Sequence, residues 1–450
     1  MADPSQVFKA YDIRGTVPDQ VNPELARALG AAVARFVGTQ EIVVARDMRA
    51  SGVELVAAFA EGAATQGVAT VDLGMASTDF LYFAAGHLDR PGAMFTASHN
   101  PAQYNGVKLC LAGARPIGRD TGLLEIEELT AEFLANPPAT VAPLTSERDL
   151  LQAWVDHVHS FIDVTSLRPL KIVADTANGM GGLVVPLVMA GLPFEVEILY
   201  PELDGSFPNH PADPIQEENL VDLKAAVLER GADVGLAFDG DADRVFLVDE
   251  RAEGVSGSLT TAMVADAMLA KYPGSTVLYN CICSKVVPEI ITAAGGTGVR
   301  TKVGHSFIKA DMERTGAVFG GEHSGHYYYR DNFRADSGII TAMVVLELMS
   351  KRNVPLSELV APYRVYAASG ELNTEVADPR GAVAALAAHL EGTDATLDHL
   401  DGLTVTYGDW WYNLRPSNTE PLLRLNVEAA NDAEVARRVA EVQSLLASLA

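Results

Sequence analysis

Four short segments carry most of the side chains suited to chemistry. The first is Thr96-Ala97-Ser98-His99-Asn100-Pro101, which runs on into Tyr104-Asn105-Gly106-Val107-Lys108. Small residues and the Asn-Pro step predict a turn that does not continue as a helix. It displays a serine beside a histidine, with a lysine further on. Such a serine serves as a nucleophile or a phosphate carrier. The same pattern also makes a plain polar turn in which Ser98 caps backbone donors.

The second segment is Asp239-Gly240-Asp241-Ala242-Asp243-Arg244, set between the apolar runs Gly235-Leu236-Ala237-Phe238 and Val245-Phe246-Leu247-Val248. Three carboxylates at alternate positions converge on one hard cation, and Mg²⁺ takes oxygen ligands of this kind. A solvated surface loop needs no such apolar frame. A calcium loop would use Asp239, Asp241, Asp243 and Glu250, but Arg244 stands where that loop needs glycine.

The third segment is Gly320-Gly321-Glu322-His323-Ser324-Gly325-His326. Its glycines let the backbone approach a ligand, and Glu322 and Ser324 suit sugar hydroxyls. Zinc binding by His323 and His326 lacks the helical context of metalloproteases. The fourth, Arg415-Pro416-Ser417-Asn418-Thr419-Glu420-Pro421, joins an arginine to hydroxyls, an amide and free backbone N–H groups. That suits a phosphate, though a simple turn has the same composition. Two smaller pieces, Lys302-Val303-Gly304-His305 and Tyr11-Asp12-Ile13-Arg14, add charge. No Walker A loop and no Gly-x-Gly-x-x-Gly is present, which withdraws support from nucleotide kinases and dinucleotide dehydrogenases.

These segments need a scaffold, and a repeated pattern supplies one. Residues 42–74, 171–200 and 276–304 each read as strand, loop, helix, strand. That order predicts parallel βαβ units in three related α/β domains with mixed, largely parallel sheets. The tail, from about 366, has strand-like runs GLTVTYG, WWYNLRP and LLRLNVEA and a helix Asp432–Leu449 capped by Asn431. It predicts a smaller C-terminal α+β domain. The expected division is 1–147, 148–251, 252–365 and 366–450, with linkers near 136–138, 250–257 and 362–368.

A chain of 450 residues is long enough for several domains. Its 33 basic and 59 acidic side chains give a net charge of −26. Nucleic acid and anionic membrane surfaces are therefore poor partners. An anionic ligand needs a local basic cluster. Cys110, Cys281 and Cys283 cannot form a disulfide framework and fit a reducing compartment. No signal peptide is visible, and runs such as 182–194 and 338–347 are too short to span a bilayer. A cytoplasmic location is expected.

Taken together, TASHNP, DGDADR, GGEHSGH and RPSNTEP resemble, in order and separation, the motifs of the α-D-phosphohexomutase superfamily, with bacterial phosphomannomutase/phosphoglucomutase the nearest likeness. The likeness runs from YDIRG to RPSNTEP. It implies that Ser98 carries a phosphoryl group and that Asp239, Asp241 and Asp243, with the serine oxygen, hold Mg²⁺. It implies that Arg244 and His99 steady the phosphoryl group, and that Lys108 and His305 handle protons. It assigns Glu322, Ser324 and His326 to sugar hydroxyls. Arg415, Ser417, Asn418 and Thr419 become the cradle for the phosphate that is not reacting. Tyr11, Arg14, Lys302 and Gly304 fall at substrate-facing positions.

The implied reaction interconverts a hexose 6-phosphate and a hexose 1-phosphate, with glucose or mannose 1,6-bisphosphate as intermediate and activator. The partners implied are small sugar phosphates, with the protein a monomer or weak dimer. Thr96-Ala97-Ser98 and Ser417-Asn418-Thr419 favour mannose and glucose phosphates over the glucosamine phosphate of related mutases. A phosphoglucosamine mutase, a non-catalytic sugar-phosphate-binding protein and a metal-dependent phosphatase are the alternatives. One departure stands out: where some relatives place a lysine, this chain has Cys281-Ile282-Cys283-Ser284, and Lys285 follows one step later.

Overall fold

The computed structural model describes residues 3–416 and 422–449. All three expected βαβ units form. The first is Glu41–Arg46, Gly52–Thr65 and Ala69–Met75; the second is Leu170–Asp175, Gly181–Met189 and Phe194–Leu199; the third is Thr276–Asn280, Val286–Ala293 and Thr297–Thr301. In each, the two strands pair in parallel. Glu41–Arg46 shows why the runs are apolar without alternation: four consecutive residues, Ile42 to Ala45, are buried. Helices cover both faces of such a strand, so polar residues gain no wet side.

Each of the first three sheets is mixed. The first, seven-stranded sheet runs Ile13–Thr16, Tyr104–Leu111, Gly92–Phe95, Glu41–Arg46, Ala69–Met75, Thr145–Glu147, with Arg115–Pro116 beside Tyr104–Leu111. The second runs Gly254–Val255, Val245–Asp249, Val234–Phe238, Leu170–Asp175, Phe194–Leu199. The third runs Thr297–Thr301, Thr276–Asn280, Phe319–Gly321, Tyr327–Tyr329. Parallel pairs lie around the βαβ strands, and antiparallel strands extend one side.

This topology puts three motifs in equivalent places. Gly92–Phe95 leads into Thr96, Val234–Phe238 into Asp239, and Phe319–Gly321 into Glu322. Each motif leaves the carboxyl end of a strand that pairs in parallel with a βαβ strand. Open α/β sheets bind ligands at such ends.

The fourth sheet is wholly antiparallel: Ala367–Glu375, Leu422–Ala429, Trp411–Pro416, Leu403–Thr406, Thr396–Asp398. Helix Asp432–Leu449 follows, with Asn431 Oδ1 accepting from Glu434 N at 3.0 Å as its capping signal requires. The sequence reading missed Ala367–Glu375 and Thr396–Asp398, which lack the alternation of the other strands. It also read 250–257 as linker, whereas Gly254–Val255 is an edge strand.

Apolar side chains from the first three sheets join one core that includes Met94, Leu236 and Val277. The fourth sheet packs its own core around Leu386, Tyr412 and Leu425. Polar contacts tie it to the third: Lys285 N donates to Glu428 Oε1 at 2.9 Å, and Val303 N to Asp401 Oδ2 at 3.0 Å. The three cysteines are buried and free. Among the described residues, no helix is long and apolar enough to cross a membrane.

Candidate active site

Ser98 sits in the left-handed region, with φ 49°, and is buried. Its N–H donates to Thr96 Oγ1 at 2.9 Å. Its hydroxyl donates to Asp239 Oδ2 at 2.8 Å, and His99 Nδ1 lies 3.2 Å away. Arg244 approaches the same hydroxyl at 3.5 Å through Nη2. The two loops touch at backbone level: a Cβ on Gly240 would stand 2.4 Å from the Ser98 carbonyl oxygen. Burial, helped by Arg244 and Arg14, holds His99 well below its ordinary pKa, so it is neutral at pH 7.

Asp239, Asp241 and Asp243 are all buried and each offers an oxygen within 4.8 Å of the others. Their other contacts leave free lone pairs. Lys108 Nζ donates to Asp241 Oδ2 at 2.8 Å and to Asp243 Oδ2 at 2.6 Å. Thr78 Oγ1 donates to Asp241 Oδ2 at 2.6 Å. Asp241 Oδ1 and Asp243 Oδ1 are buried without a partner. Buried carboxylate oxygens without donors are a strong demand for a cation, so the residues fit a hard divalent metal.

The surrounding charges follow from burial and pairing. Burial, opposed by Arg244, pushes the Asp239 carboxyl up to about 7. Burial acts upward on Asp241 too, but Lys108 and Thr78 overcome it and hold the carboxyl below its ordinary range. For Lys108, burial lowers the pKa and the two aspartates more than offset it, so the ammonium stays charged. Arg244 is held cationic by Asp239 in the same way, its Nε donating to Oδ2 at 2.9 Å.

The third motif lies against the second. Arg244 and His326 form an isolated antiparallel bridge. His326 Nδ1 is 2.8 Å from Asp336 Oδ2 and 3.6 Å from Asp243 Oδ1. Glu322 is already engaged: Oε1 accepts from Gly304 N at 2.9 Å and Oε2 from the Tyr328 hydroxyl at 2.8 Å. Ser324 is half-buried. His323 turns aside to Ser258 Oγ at 2.9 Å, so the two histidines serve different partners.

His305 packs edge-on against Tyr11 at 5.1 Å, and both of its ring nitrogens are buried without a partner. Burial and Lys309 hold it neutral, well below its ordinary pKa. Gly304 has φ +129°, a conformation that favours glycine, with the Tyr11 ring 3.0 Å from where a Cβ would stand. Arg14 donates to Asn100 Oδ1 at 2.6 Å and pairs with Asp12. Lys302 is exposed, its ammonium 5.5 Å from the Phe307 ring centre. Burial raises the Tyr11 phenol; Asp12 and Glu322 reinforce this, and Arg14 and Arg415 oppose it. Charges from the first, third and fourth sheets thus meet at Tyr11.

Arg415 ends strand Trp411–Pro416 and pairs with Glu371, which also accepts from Arg424 Nη1 at 3.1 Å. Ser417, Asn418 and Thr419 lie outside the described residues. Cys281 and Cys283 are buried, and Lys285 Nζ sits 3.7 Å from Glu289 on its own helix. Sequence reasoning missed Arg49, Lys309, Asp336 and Asn280, all buried. Lys309 Nζ is 2.8 Å from Asp336 Oδ1, and Asn280 Nδ2 donates to Glu322 Oε1 at 3.3 Å. Arg49 and Asp47 form an Asp-x-Arg pair at a strand end, the one local signal any of them offers.

Four domain models of one family match the chain in order. Phosphoglucomutase/phosphomannomutase α/β/α domain I covers 5–135, domain II 152–254, domain III 256–366, and the C-terminal domain 371–445. A phosphomannomutase of Salmonella montevideo is 40% identical over 98% of this chain and 99% of its own length. Phosphohexose mutases of Xanthomonas campestris are 41% identical over 98% of each chain. A solved phosphoglucomutase/phosphomannomutase family protein of Burkholderia thailandensis is 32% identical, with TM-score 0.90 over 100% of this chain and 98% of its own. The chain belongs to the phosphoglucomutase/phosphomannomutase family. It is an enzyme of the isomerase class, a hexose phosphate mutase.

Proposed function

We propose that this mutase interconverts the 6- and 1-phosphates of mannose and glucose through a phosphorylated Ser98. The observation that carries the reading is the Ser98 hydroxyl 2.8 Å from Asp239, inside a triad with two unpartnered carboxylate oxygens. Asp239, Asp241 and Asp243, with the serine oxygen, would hold Mg²⁺. Bound there, the ion supplies neutralisation of charge on the phosphoryl oxygens.

The chain's own residues do the rest. Phosphoryl transfer needs in-line positioning and cationic neutralisation, since the transferring group carries spread negative charge. Arg244 and the charged Lys108 border the serine and the triad and supply that neutralisation. Ser98 gives its phosphoryl group to the free hydroxyl of a hexose phosphate. The hydroxyl's proton passes to a base, and His305 is neutral with neither ring nitrogen engaged, so its unprotonated nitrogen can accept it. A hexose 1,6-bisphosphate results. It reorients in the cleft, and its other phosphate returns to Ser98. Glu322, Ser324 and His326 orient the sugar, and Arg415 with residues 417–419 holds the distal phosphate. Tyr11, Arg14, Lys302 and Gly304 complete the substrate side.

Mannose and glucose differ at the C2 hydroxyl, so one sugar loop accepts both. The division at 148, 252 and 366 gives each of the four motifs its own domain. The protein acts in the cytoplasm as a monomer or weak dimer.

A coupled assay with Mg²⁺ and trace glucose 1,6-bisphosphate tests this. Mannose, glucose and glucosamine 1-phosphates are offered side by side. Conversion of the first two, absent in Ser98→Ala, is expected. Preference for glucosamine phosphate would overturn the specificity. Release of inorganic phosphate without isomerisation would make the protein a phosphatase.

A further inference from the structure

We infer that Arg49 is the positioning residue that presets the Ser98 loop for phosphoryl transfer, an inference that rests on the phosphoserine reading. Arg49 is 1% exposed, so it cannot reach a substrate. A guanidinium has five N–H donors in a rigid fork. All five are committed here. Nε donates to Asp47 Oδ2 at 3.2 Å. Nη1 donates to the carbonyls of Pro101 and Tyr104, each at 2.9 Å. Nη2 donates to the carbonyls of Ser98 at 2.9 Å and Asn100 at 2.6 Å.

Three carbonyls of the serine loop and that of Tyr104, the first residue of the following strand, therefore converge on one side chain. The loop runs outside any strand or helix from Thr96 to Gln103, so its backbone has few ladder partners. Removing the fork would strand several buried acceptors at once. Ser98 is gripped at both ends of its residue: its N–H by Thr96, its carbonyl by Arg49. That grip holds a φ of 49°, which a non-glycine residue adopts only when its surroundings fix it.

The guanidinium also senses the second domain. Its Cζ lies 5.1 Å from the centre of the Phe207 ring. Gly205 packs so closely that a Cβ there would stand 2.7 Å from Arg49 Cα. One side chain thus registers the serine loop against the domain that carries Asp239. A shift of about 1 Å in a reacting group costs about 10²-fold in rate. Because Arg415 and Glu322 are untouched, substrate affinity should not follow.

The test compares wild type, Arg49→Lys and Phe207→Leu by kcat, KM and phosphorylation of Ser98 on exposure to glucose 1,6-bisphosphate, with folding checked by circular dichroism. Lysine keeps the charge but has three donors and no fork. Expected for Arg49→Lys is kcat lower by about 10²-fold, slower Ser98 phosphorylation and KM within about threefold. A folded Arg49→Lys with wild-type kcat overturns the inference, and so does a raised KM with kcat kept. If Arg49→Lys does not fold, Phe207→Leu decides: a severalfold drop in kcat at constant KM supports the inference, and unchanged kcat overturns it. Wild-type protein that turns over without ever phosphorylating Ser98 overturns the phosphoserine reading and this inference with it.

Discussion

Ser98 and Asp239 meet across the seam between the first two sheets, hydroxyl to carboxylate at 2.8 Å. They are 141 residues apart in the chain. Neither loop is a site alone: one supplies the serine, the other the anionic cluster. The shared apolar core of the first three sheets holds them in register. The fourth sheet, with a core of its own, is joined by polar contacts.

Asp241 is the best probe of the cation site. One oxygen is committed to Lys108 and Thr78 and the other has no partner. Chelation with EDTA should abolish turnover and Mg²⁺ should restore it. Asp241→Asn should lower kcat by about 10²-fold or more and raise the Mg²⁺ concentration needed for half activation. Full activity in EDTA would contradict a metal at the triad.

Lys309 tests the buried charge network behind His326. Its ammonium faces Asp336 at 2.8 Å and lies 3.6 Å from the Tyr82 ring centre, wholly out of solvent. Lys309→Met leaves Asp336 buried with the His326 hydrogen bond and the more distant charge of Lys108 to answer it. Breaking one side of a buried pair costs about 3–5 kcal/mol. Urea denaturation should show a loss of that order; a loss below about 1 kcal/mol would mean that water replaces the ammonium.

His210 gives a pH signature away from the triad. Its Nδ1 faces the Pro211 carbonyl at 2.9 Å and its Nε2 faces Asp175 at 3.0 Å. Two acceptors call for two protons, the imidazolium form. Burial lowers the pKa, but the bond and charge of Asp175 outweigh it and raise the pKa above 6.5. A raised folded pKa gives stability that is complete below the unfolded value and fades as pH climbs through the folded one. The stability gap between wild type and His210→Gln should therefore be largest near pH 6 and shrink toward pH 9. A gap that is constant with pH would show that the pair is not ionised.

Much of this was legible in the sequence because it is local. The βαβ units announce themselves through uninterrupted runs such as Ile42 to Ala45, and each motif is contiguous. Ser98 and the three aspartates needed no partner to be noticed. Arg49 is different. Its meaning lies in four carbonyls 49 to 55 residues further along, and in sequence it reads as a surface charge. Lys309 and Asp336 become a pair only when a helix start and a sheet edge meet. Glu322 showed its type but not its engagement with Gly304 and Tyr328. Strand Ala367–Glu375 escaped notice because few of its residues are apolar and none is buried, with a register shift between Ala368 and Glu371.

The most direct test is the covalent state of Ser98 during turnover. The protein is exposed to glucose 1,6-bisphosphate, quenched, and its peptides are weighed by mass spectrometry. One added phosphoryl group on the peptide containing Ser98, lost on addition of a hexose 6-phosphate and absent in Ser98→Ala, is the predicted result. Isomerisation that proceeds with Ser98 unmodified throughout, or undiminished in Ser98→Ala, would contradict it.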